Sequence, residues 1–239
     1  MLDMSITTLS RPTTEQPEAA EVVAPRSHRR PTWPIFGVVA GVTGSVSALA
    51  GISKVTEEDA SEGVGVLDHL TRGTYHVSFL LGIVAFASLF VAATGWKRWA
   101  EQRAPRDLGA RTIGTALSAT ATINIIFACL AGSMALYLPG GSDEGWLSKE
   151  SIFVNYSLLD FGQLLGWWGA AVAAVCVATL ALRRNRVLPR WMGVVSILLL
   201  LPPLGMAVAI GLPGLVGLTM PIWLVVISIG LVFSKTARA

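Results

Sequence analysis

The stretch LLDFGQLLGWWGAAVAAVCVATLAL, from Leu158 to Leu182, contains a single charged residue, Asp160. An α-helix of about 20 predominantly apolar residues crosses the hydrocarbon core of a bilayer. The stretch is long enough to do so, and its apolar residues run together instead of following the one-sided spacing of a soluble amphipathic helix. It therefore predicts a transmembrane helix.

Five further apolar blocks of similar length lie on both sides of this one. The chain of 239 residues is 53% hydrophobic and 14% charged, whereas about 25% of the residues of a typical soluble domain are charged. These features predict an all-α polytopic membrane protein, with six transmembrane helices in a bundle. The expected helices are approximately Pro34–Ile52, His76–Trp96, Arg111–Leu138, Leu158–Leu182, Trp191–Leu212 and Gly214–Phe233.

The basic residues fall on one side of the predicted bundle. Of the 18 Lys and Arg residues, only Lys54, Arg72 and Lys149 belong to the other side. Because cytoplasmic loops are enriched in Lys and Arg, we expect N-in and C-in topology in the bacterial cytoplasmic (plasma) membrane. The loops are too short to form a nucleic-acid surface. Membrane lipids are therefore expected partners, and nucleic acid is not.

The predicted transmembrane domain occupies residues 32–235, between two short terminal segments. Residues 1–31 are rich in Thr, Pro, Glu and Ala, a composition that favours disorder, so we expect a disordered cytoplasmic tail. Residues 236–239 form a cytoplasmic end. The small residues of Ala48-Leu49-Ala50 also fit a signal-peptide cleavage site, but the acidic residues of the leading segment favour an uncleaved first helix.

One face of the fourth predicted helix is polar and aromatic. Its residues are spaced by four, three and four positions, which places them in one stripe. Ionisable residues within a membrane segment usually face the bundle interior or water. We therefore expect an outer-leaflet polar pocket, completed by side chains of the second and third helices. Its candidate residues are His76, Asn124, Tyr156, Asp160, Gln163 and Trp167.

Three of these residues also have simpler interpretations. Asp160 could begin its helix and interact with the positive end of the helix dipole. His76 could lie at the membrane interface, hydrogen-bonded to a neighbour or to water. Asn124 could form an interhelical hydrogen bond. The sequence leaves these alternatives open.

Small residues indicate two helix-packing faces, because they let helix backbones approach closely. The first face could pack within the bundle or form a homodimer contact. The second lies opposite the polar stripe. The faces comprise Gly37, Gly41 and Ser45 in the first helix and Gly162, Gly166 and Gly169 in the fourth.

Two prolines, Pro202 and Pro203, lie at the centre of the fifth predicted helix. Proline removes a backbone donor and clashes with the preceding turn, so the pair predicts a kink. The kink could be a fixed feature of the bundle or a moving hinge, and the sequence does not decide between them.

The sequence contains no catalytic, metal-binding or cofactor-binding motif. Cys129 and Cys176 are expected at depths too different for a disulfide bond, and His28 and His69 fall in the tail and a loop. We therefore expect no catalytic residues, no metal and no cofactor, and an enzyme is less expected than a non-enzymatic protein.

The segment RNRVLPRWMGVVSILLLLPP, from Arg184 to Pro203, enters the fifth helix through Leu188, Pro189, Arg190 and Trp191. It resembles small bacterial multi-pass proteins of the group called domain of unknown function 4386. The resemblance extends from about Leu158 to Phe233. It implies an integral membrane protein without an established activity, and it transfers no catalytic residue.

These observations favour a non-enzymatic accessory or sensor component of the membrane, with a homo-oligomer or a membrane-protein partner. The alternative is a small transporter or lipid-binding permease that uses the outer-leaflet polar pocket. A membrane-embedded enzyme is a further alternative. The substrate, the partner and the oligomeric state do not follow from the sequence.

Overall fold

A computed structural model describes residues 32–52 and 62–234. The expected tail of residues 1–31 and the expected end of residues 236–239 lie outside the described residues. The described chain forms seven α-helices and two 3-10 helices. In order these are α1 Trp33–Gly51, a 3-10 helix Gly63–His69, α2 Arg72–Arg103, α3 Leu108–Tyr137, α4 Lys149–Leu165, α5 Trp168–Leu182, α6 Arg190–Ile210, a 3-10 helix Pro213–Leu215 and α7 Val216–Phe233.

Six stretches of this structure are long and apolar enough to cross a membrane, and no β-strand occurs in the described ranges. The predicted all-α architecture, with six segments long and apolar enough to span a membrane, is thereby confirmed. Helices α4 and α5 together form the fourth span. The six spans are Trp33–Gly51, Arg72–Arg103, Leu108–Tyr137, Lys149–Leu182, Arg190–Ile210 and Pro213–Phe233.

Three helix boundaries differ from the predicted ones by four residues or more. The second span begins at Arg72 and not at His76, and it ends at Arg103 and not at Trp96. The fourth span begins at Lys149 and not at Leu158. Ser148 caps α4, and Glu150 lies in its first turn, where a negative charge favours the helix dipole. Apolar runs indicate only the part of a helix that lies in hydrocarbon, so these polar first turns were predicted as loop.

The fourth span is interrupted at Gly166 and Trp167, so the prediction of one continuous helix was wrong. The Gly166 N–H donates to the Gly162 carbonyl at 3.2 Å, and the Trp167 N–H donates to the Leu164 carbonyl at 3.5 Å. Trp167 has φ −88° and ψ 1°, outside the helical basin, and caps α5, whose helix begins at Trp168. A tightened last turn of this kind ends α4 before α5 begins.

Helix α1 packs against both α2 and α7. Helix α2 also packs along α3, and α5 packs between α3 and α6. Helix α6 is the most peripheral, because every residue from Leu204 to Leu212 except half-buried Ala207 is exposed. It runs without interruption through Pro202 and Pro203.

The packing face of α1 is occupied by α7. A Cβ added to Gly37 would overlap the side chain of Ser228, and one added to Gly41 would lie 2.6 Å from the Pro221 carbonyl oxygen. Ser45 is half-buried and its hydroxyl donates to the Gly41 carbonyl of its own helix at 2.8 Å. This face therefore packs against α7 within the described chain, as the first of the two interpretations expects, and a homo-oligomer stays a prediction.

One end of the bundle carries the basic loops, and we call it the basic face. Here Trp33 packs edge-on against Trp96, with ring centroids 5.5 Å apart. Asp107 caps α3 by accepting from the Ala110 N–H at 2.9 Å, and it also pairs with Arg183 at the end of α5. The Ala110 hydrogen bond and the Arg183 guanidinium hold the pKa of the Asp107 carboxyl below its usual value.

The opposite face is covered in part by the first 3-10 helix. Val66 and Leu67 are buried in an apolar cluster with Tyr75 of α2 and Leu159 of α4. Asp68 accepts from the Lys149 ammonium at 2.8 Å, which joins this 3-10 helix to the start of the fourth span. The turns at this face therefore pack against α2 and α4.

Candidate functional site

A hydrogen-bonded cluster of three buried polar side chains joins three spans near the opposite face. Gln163 of α4 donates through Nε2 to the Ser47 hydroxyl of α1 at 2.9 Å and to the Ser78 hydroxyl of α2 at 3.0 Å. All three residues are buried, and Gln163 is only 3% exposed. Buried polar groups need such partners because an unmade hydrogen bond in an apolar interior is costly.

The two serines fix the orientation of the glutamine amide. The Ser47 hydroxyl donates to the Ser78 carbonyl at 2.8 Å, and the Ser78 hydroxyl donates to the Ser47 carbonyl at 2.9 Å. Because each hydroxyl has one hydrogen and has already donated it, both serine oxygens can only accept from the amide. The Gln163 nitrogen must face the serines, and Oε1 must point away from them.

The outward-turned oxygen of Gln163 is buried and has no hydrogen-bond partner within the described part of the chain. It points at Gly51, where an added Cβ would overlap Oε1. The absence of a side chain at Gly51 therefore gives this oxygen its space. An acceptor therefore remains at the end of α1 without a partner among the described residues.

Trp167, at the break of the fourth span, is also fully buried with an unsatisfied polar atom. Its indole lies against Gly44, deeper along α1, and its Nε1 has no partner among the described residues. A second buried tryptophan shows how this fold satisfies an indole, since Trp223 Nε1 donates to the Ser196 hydroxyl at 2.8 Å. The missing partner is thus specific to Trp167.

Tyr75 continues the arrangement one turn above Ser78. Its side chain is 2% exposed, and its hydroxyl has no partner in the described ranges. Tyr156 and the half-buried Asp160 lie close enough to Tyr75 to interact with it electrostatically. We call the set that runs along this interior the polar column, and it consists of Ser47, Tyr75, Ser78, Gln163 and Trp167.

The depth of the polar column follows from helix geometry. The stretch of α2 from Ser78 to Lys97 rises about 28 Å at ~1.5 Å per residue, close to the ~30 Å thickness of the hydrocarbon core. With Lys97 at the basic face, Ser78 and Gln163 lie near the opposite boundary of the hydrocarbon. Ala85, which borders Gly44 and Trp167, lies about 10 Å deeper.

The structure brings together four of the six residues predicted to form a polar pocket. Gln163 and Trp167 belong to the polar column, and Tyr156 and Asp160 lie beside its upper end. Asp160 stands about three turns after Lys149, so its interpretation as a residue at the helix start was wrong. A pocket shared by all of these residues stays a prediction.

His76 and Asn124 do not join the polar column. His76 is exposed, whereas its neighbour Tyr75 is buried. Asn124 is buried but donates to the Thr120 carbonyl of its own helix at 2.9 Å, so the predicted interhelical hydrogen bond is not the one it forms. Its side chain packs instead against Gly166 at the break of the fourth span.

The predicted packing face of the fourth span lies against α3 throughout. A Cβ on Gly162 would overlap the ring of Phe127, one on Gly166 would lie 3.3 Å from Asn124 Nδ2, and one on Gly169 would lie 2.5 Å from the Ala116 carbonyl. These glycines let α4 and α5 approach α3 closely enough for the polar stripe to face α1 and α2.

Sequence reasoning missed Ser47, Ser78 and Tyr75. Serines in membrane helices commonly bond to their own helix, as Ser45 does, so neither serine carried a distinguishing signal. Ser47 does share one helix face with Gly44 and Gly51, and that row of small residues could have indicated a second close contact of α1.

The described residues hold no group of three or more His, Cys, Asp or Glu side chains that could bind a metal ion. Both cysteines are free thiols, with Cys129 exposed and Cys176 half-buried. In comparisons with protein-family models, curated proteins and solved structures, nothing matches this chain. The resemblance to the group called domain of unknown function 4386 stays a prediction.

Proposed function

We propose that this chain is a small multi-pass membrane protein of the permease or lipid-binding class, which binds a lipid or another small molecule in the polar column. The observation that carries the proposal is that Tyr75, Gln163 and Trp167 each keep a buried polar atom without a partner in the described chain. A bound molecule would supply the missing partners.

The energetic argument rests on the cost of such atoms. A buried donor or acceptor that is left unsatisfied costs about 1–3 kcal/mol, and three of them follow one interior path. Native structures contain few such groups, and those present commonly mark a functional site or a bound molecule. A ligand that satisfies two of them would gain affinity from hydrogen bonds that water cannot compete for.

The interrupted fourth span supports the same class of function. Discontinuous membrane helices occur at the binding sites of transporters, where backbone and side-chain groups at the break contact the substrate. Here the break at Gly166 and Trp167 places an unsatisfied indole at that point. The accessory or sensor role expected from the sequence has less support, because α7 occupies the α1 face that was expected to meet a partner.

The orientation and location that we propose follow from charge. Lys97, Arg103, Arg183 and Arg190 lie at the basic face, and this distribution favours a cytoplasmic basic face. The polar column would then open toward the outer leaflet of a bacterial cytoplasmic membrane. Labelling of single cysteines introduced at Gly140 and Arg106 with a membrane-impermeant maleimide tests this orientation, since only the first should react in intact cells.

Native mass spectrometry of the purified protein tests the proposed binding. The wild-type protein is expected to carry a co-purifying molecule that is lost in Trp167→Phe and retained in the matched control Trp223→Phe. Both substitutions shorten a fully buried indole, so a general loss of packing would affect both. A wild-type spectrum without adducts in mild detergent, together with no binding from a total lipid extract, would contradict the proposal and favour an accessory role.

A further inference from the structure

The charged side chains of the two faces of the bundle are compensated to different extents. At the opposite face the described acids outnumber the Lys and Arg residues, and Lys149 is paired with Asp68 at 2.8 Å. At the basic face only Glu101 and Asp107 are acidic among the described residues, and Asp107 is already paired with Arg183. The chain itself therefore supplies few anions to the cations of the basic face.

The uncompensated cations are densest in the loop between α5 and α6. Arg184, Arg186 and Arg190 are all exposed, and none of them forms an ion pair with a residue in the described ranges. Like charges this close in sequence repel one another and raise the local positive potential, which attracts anions from outside the chain. We call these three residues the arginine cluster.

The loop that carries the arginine cluster is anchored by apolar contacts. Leu188 is buried in the main core, and Val187 packs against the same core. The Val187 N–H also donates to the Leu180 carbonyl of α5 at 3.3 Å. The arginines therefore extend from a loop whose backbone is already held, so an anion that binds them does not have to order the loop, and its affinity is not reduced by that entropy cost.

The apolar residues on both sides of the arginine cluster fix its level in a membrane. Leu182 precedes the cluster and is 44% exposed, and Trp191 follows Arg190 directly and is 43% exposed. Exposed leucine belongs in hydrocarbon, and tryptophan is enriched at the boundary between hydrocarbon and headgroups. The arginine side chains next to them therefore lie at the level of the lipid headgroups, where phosphate is the anion that they meet.

We infer that the arginine cluster is a binding surface for anionic phospholipids, with the guanidinium groups on the phosphate and the acidic headgroup and Trp191 beside the first acyl carbons. Arginine suits this partner because its planar fork donates two parallel hydrogen bonds to a phosphate. A zwitterionic lipid has the same phosphate but also an ammonium, which the cluster repels. The inference goes beyond the proposed function, because the polar column lies near the opposite face.

Two lipids with identical acyl chains test this surface. Dioleoyl phosphatidylglycerol and dioleoyl phosphatidylcholine share the phosphate and differ in net charge. Their affinities for the full chain in detergent are measured by titration in native mass spectrometry. Phosphatidylglycerol is expected to bind at least about 5-fold more tightly at low ionic strength, the effect of one basic residue near an anionic lipid. This preference should shrink as salt is added, because exposed charges are screened.

Variants assign the preference to the arginine cluster. Arg184→Gln and Arg186→Gln should each weaken phosphatidylglycerol about 5-fold and leave phosphatidylcholine nearly unchanged. Lys149→Gln is the matched control, because it removes an exposed cation at the opposite face, and it should change neither affinity. Arg184→Lys keeps the charge and should keep most of the affinity, which separates loss of charge from a general effect of substitution at this position.

The inference is overturned if the two lipids bind equally, or if Lys149→Gln weakens phosphatidylglycerol as much as the arginine variants do. Displacement of the lipid by glycerol 3-phosphate at equal concentration would also overturn it, because a soluble phosphate would then be the ligand, and displacement by a short DNA duplex would indicate a nucleic-acid surface instead.

A comparison with Trp167→Phe keeps this inference separate from the proposed function. Phosphatidylglycerol should bind Trp167→Phe as it binds the wild-type protein, since Trp167 belongs to the polar column. If the lipid is lost in Trp167→Phe and retained in the arginine variants, it occupies the polar column, which would support the proposed function and overturn this inference. If it is lost only in the arginine variants, the inference stands whatever the polar column binds.

Discussion

Ser47 and Ser78 are joined by a reciprocal pair of hydrogen bonds, in which each hydroxyl donates to the backbone carbonyl of the other residue, at 2.8 and 2.9 Å. This pair locks α1 to α2 at one level of the bundle. It also leaves both serine oxygens as acceptors, so it sets the direction of the Gln163 amide. The unsatisfied oxygen of the polar column is thus a consequence of how two other helices are joined.

Removal of either serine hydroxyl should destabilise the bundle. Ser47→Ala and Ser78→Ala each delete one interhelical bond and leave one Gln163 N–H without its acceptor, and we expect a loss of about 1 kcal/mol for each. Ser45→Ala is the matched control, because the Ser45 hydroxyl bonds only within α1. Reversible unfolding in mixed micelles, followed by circular dichroism, provides the comparison.

The double variant of Ser47 and Ser78 distinguishes a coupled pair from two separate bonds. Residues that share hydrogen-bond partners show non-additive effects, so the double substitution should cost clearly less than the sum of the single ones. Strictly additive stability losses, or a loss in Ser45→Ala as large as in the other two variants, would show that the cluster of Ser47, Ser78 and Gln163 does not act as a unit.

Gly51 is expected to be intolerant of any side chain. A Cβ at this position would overlap Gln163 Oε1, so Gly51→Ala must displace the amide from the serines or move α1. We expect a destabilisation of about 1–3 kcal/mol, typical of overpacking, together with loss of ligand binding.

Gly205→Ala is the control for that substitution. Gly205 lies inside α6, and no atom lies near its added Cβ, so alanine there should be neutral or should stabilise the helix by up to about 1 kcal/mol. The free energies of unfolding of both variants are measured in the same micelles. A Gly51→Ala protein as stable as wild type would mean that the Gln163 amide does not occupy this position.

All six spans were predictable because each needs about 20 apolar residues in hydrocarbon, and the sequence supplies six such runs. The helix ends that lie outside hydrocarbon were not predictable from apolar runs. The turns from Lys149 to Leu158 contain Glu150, Asn155 and Ser157, and they form a helix because Ser148 caps them and Ile152 packs under the first 3-10 helix. That stabilisation is tertiary and leaves no apolar run.

The polar site was predictable only in part, for reasons of helix rotation. Helical spacing identified Gln163 and Trp167, because both lie on one stripe of a single segment. The same reasoning chose His76, yet one residue corresponds to about 100° of rotation, and Tyr75 faces the interior instead. The face that a helix turns inward depends on contacts with partners distant in sequence, such as that of Gly82 in α2 with Ala128 of α3.

Asp107 should make the stability of the bundle depend on acidity. The pKa of its carboxyl is held below the usual value by the Ala110 N–H and by Arg183. The resulting stabilisation is fully present above the unfolded pKa of about 4, and it is lost as the pH falls through the lower, folded pKa. We expect the Tm of the wild-type protein to fall in that acidic range more steeply than the Tm of Asp107→Asn.

Two substitutions separate the cap from the ion pair. Asp107→Asn keeps a side-chain acceptor for Ala110 but loses the charge, so it should cost less than 1 kcal/mol at neutral pH, because Arg183 is 41% exposed and exposed ion pairs contribute little. Asp107→Ala also loses the cap and should cost about 1 kcal/mol more. Parallel acid profiles for wild type and Asp107→Asn would contradict this assignment.

Phenylalanine substitutions of the two buried tryptophans should have different effects. Trp223→Phe should mainly lower stability, whereas Trp167→Phe should mainly weaken ligand binding. Trp223→Phe deletes a satisfied hydrogen bond to Ser196, so it should lose about 1 kcal/mol beyond the loss of packing. Trp167→Phe removes a donor that has no partner in residues 32–52 and 62–234, which relieves an unsatisfied group and partly offsets the packing loss. In protein stripped of lipid, Trp223→Phe should therefore be the less stable variant, as measured by chemical unfolding.

Addition of the ligand should reverse that order. A ligand that binds only the folded state stabilises it by RT ln(1 + [L]/Kd), and this gain is available to wild type and Trp223→Phe but is reduced in Trp167→Phe. At a concentration of the co-purifying molecule of about 100 Kd the gain is about 2.7 kcal/mol, which exceeds the expected difference between the two variants. Equal stabilisation of both variants by that molecule would show that the indole of Trp167 does not contact it.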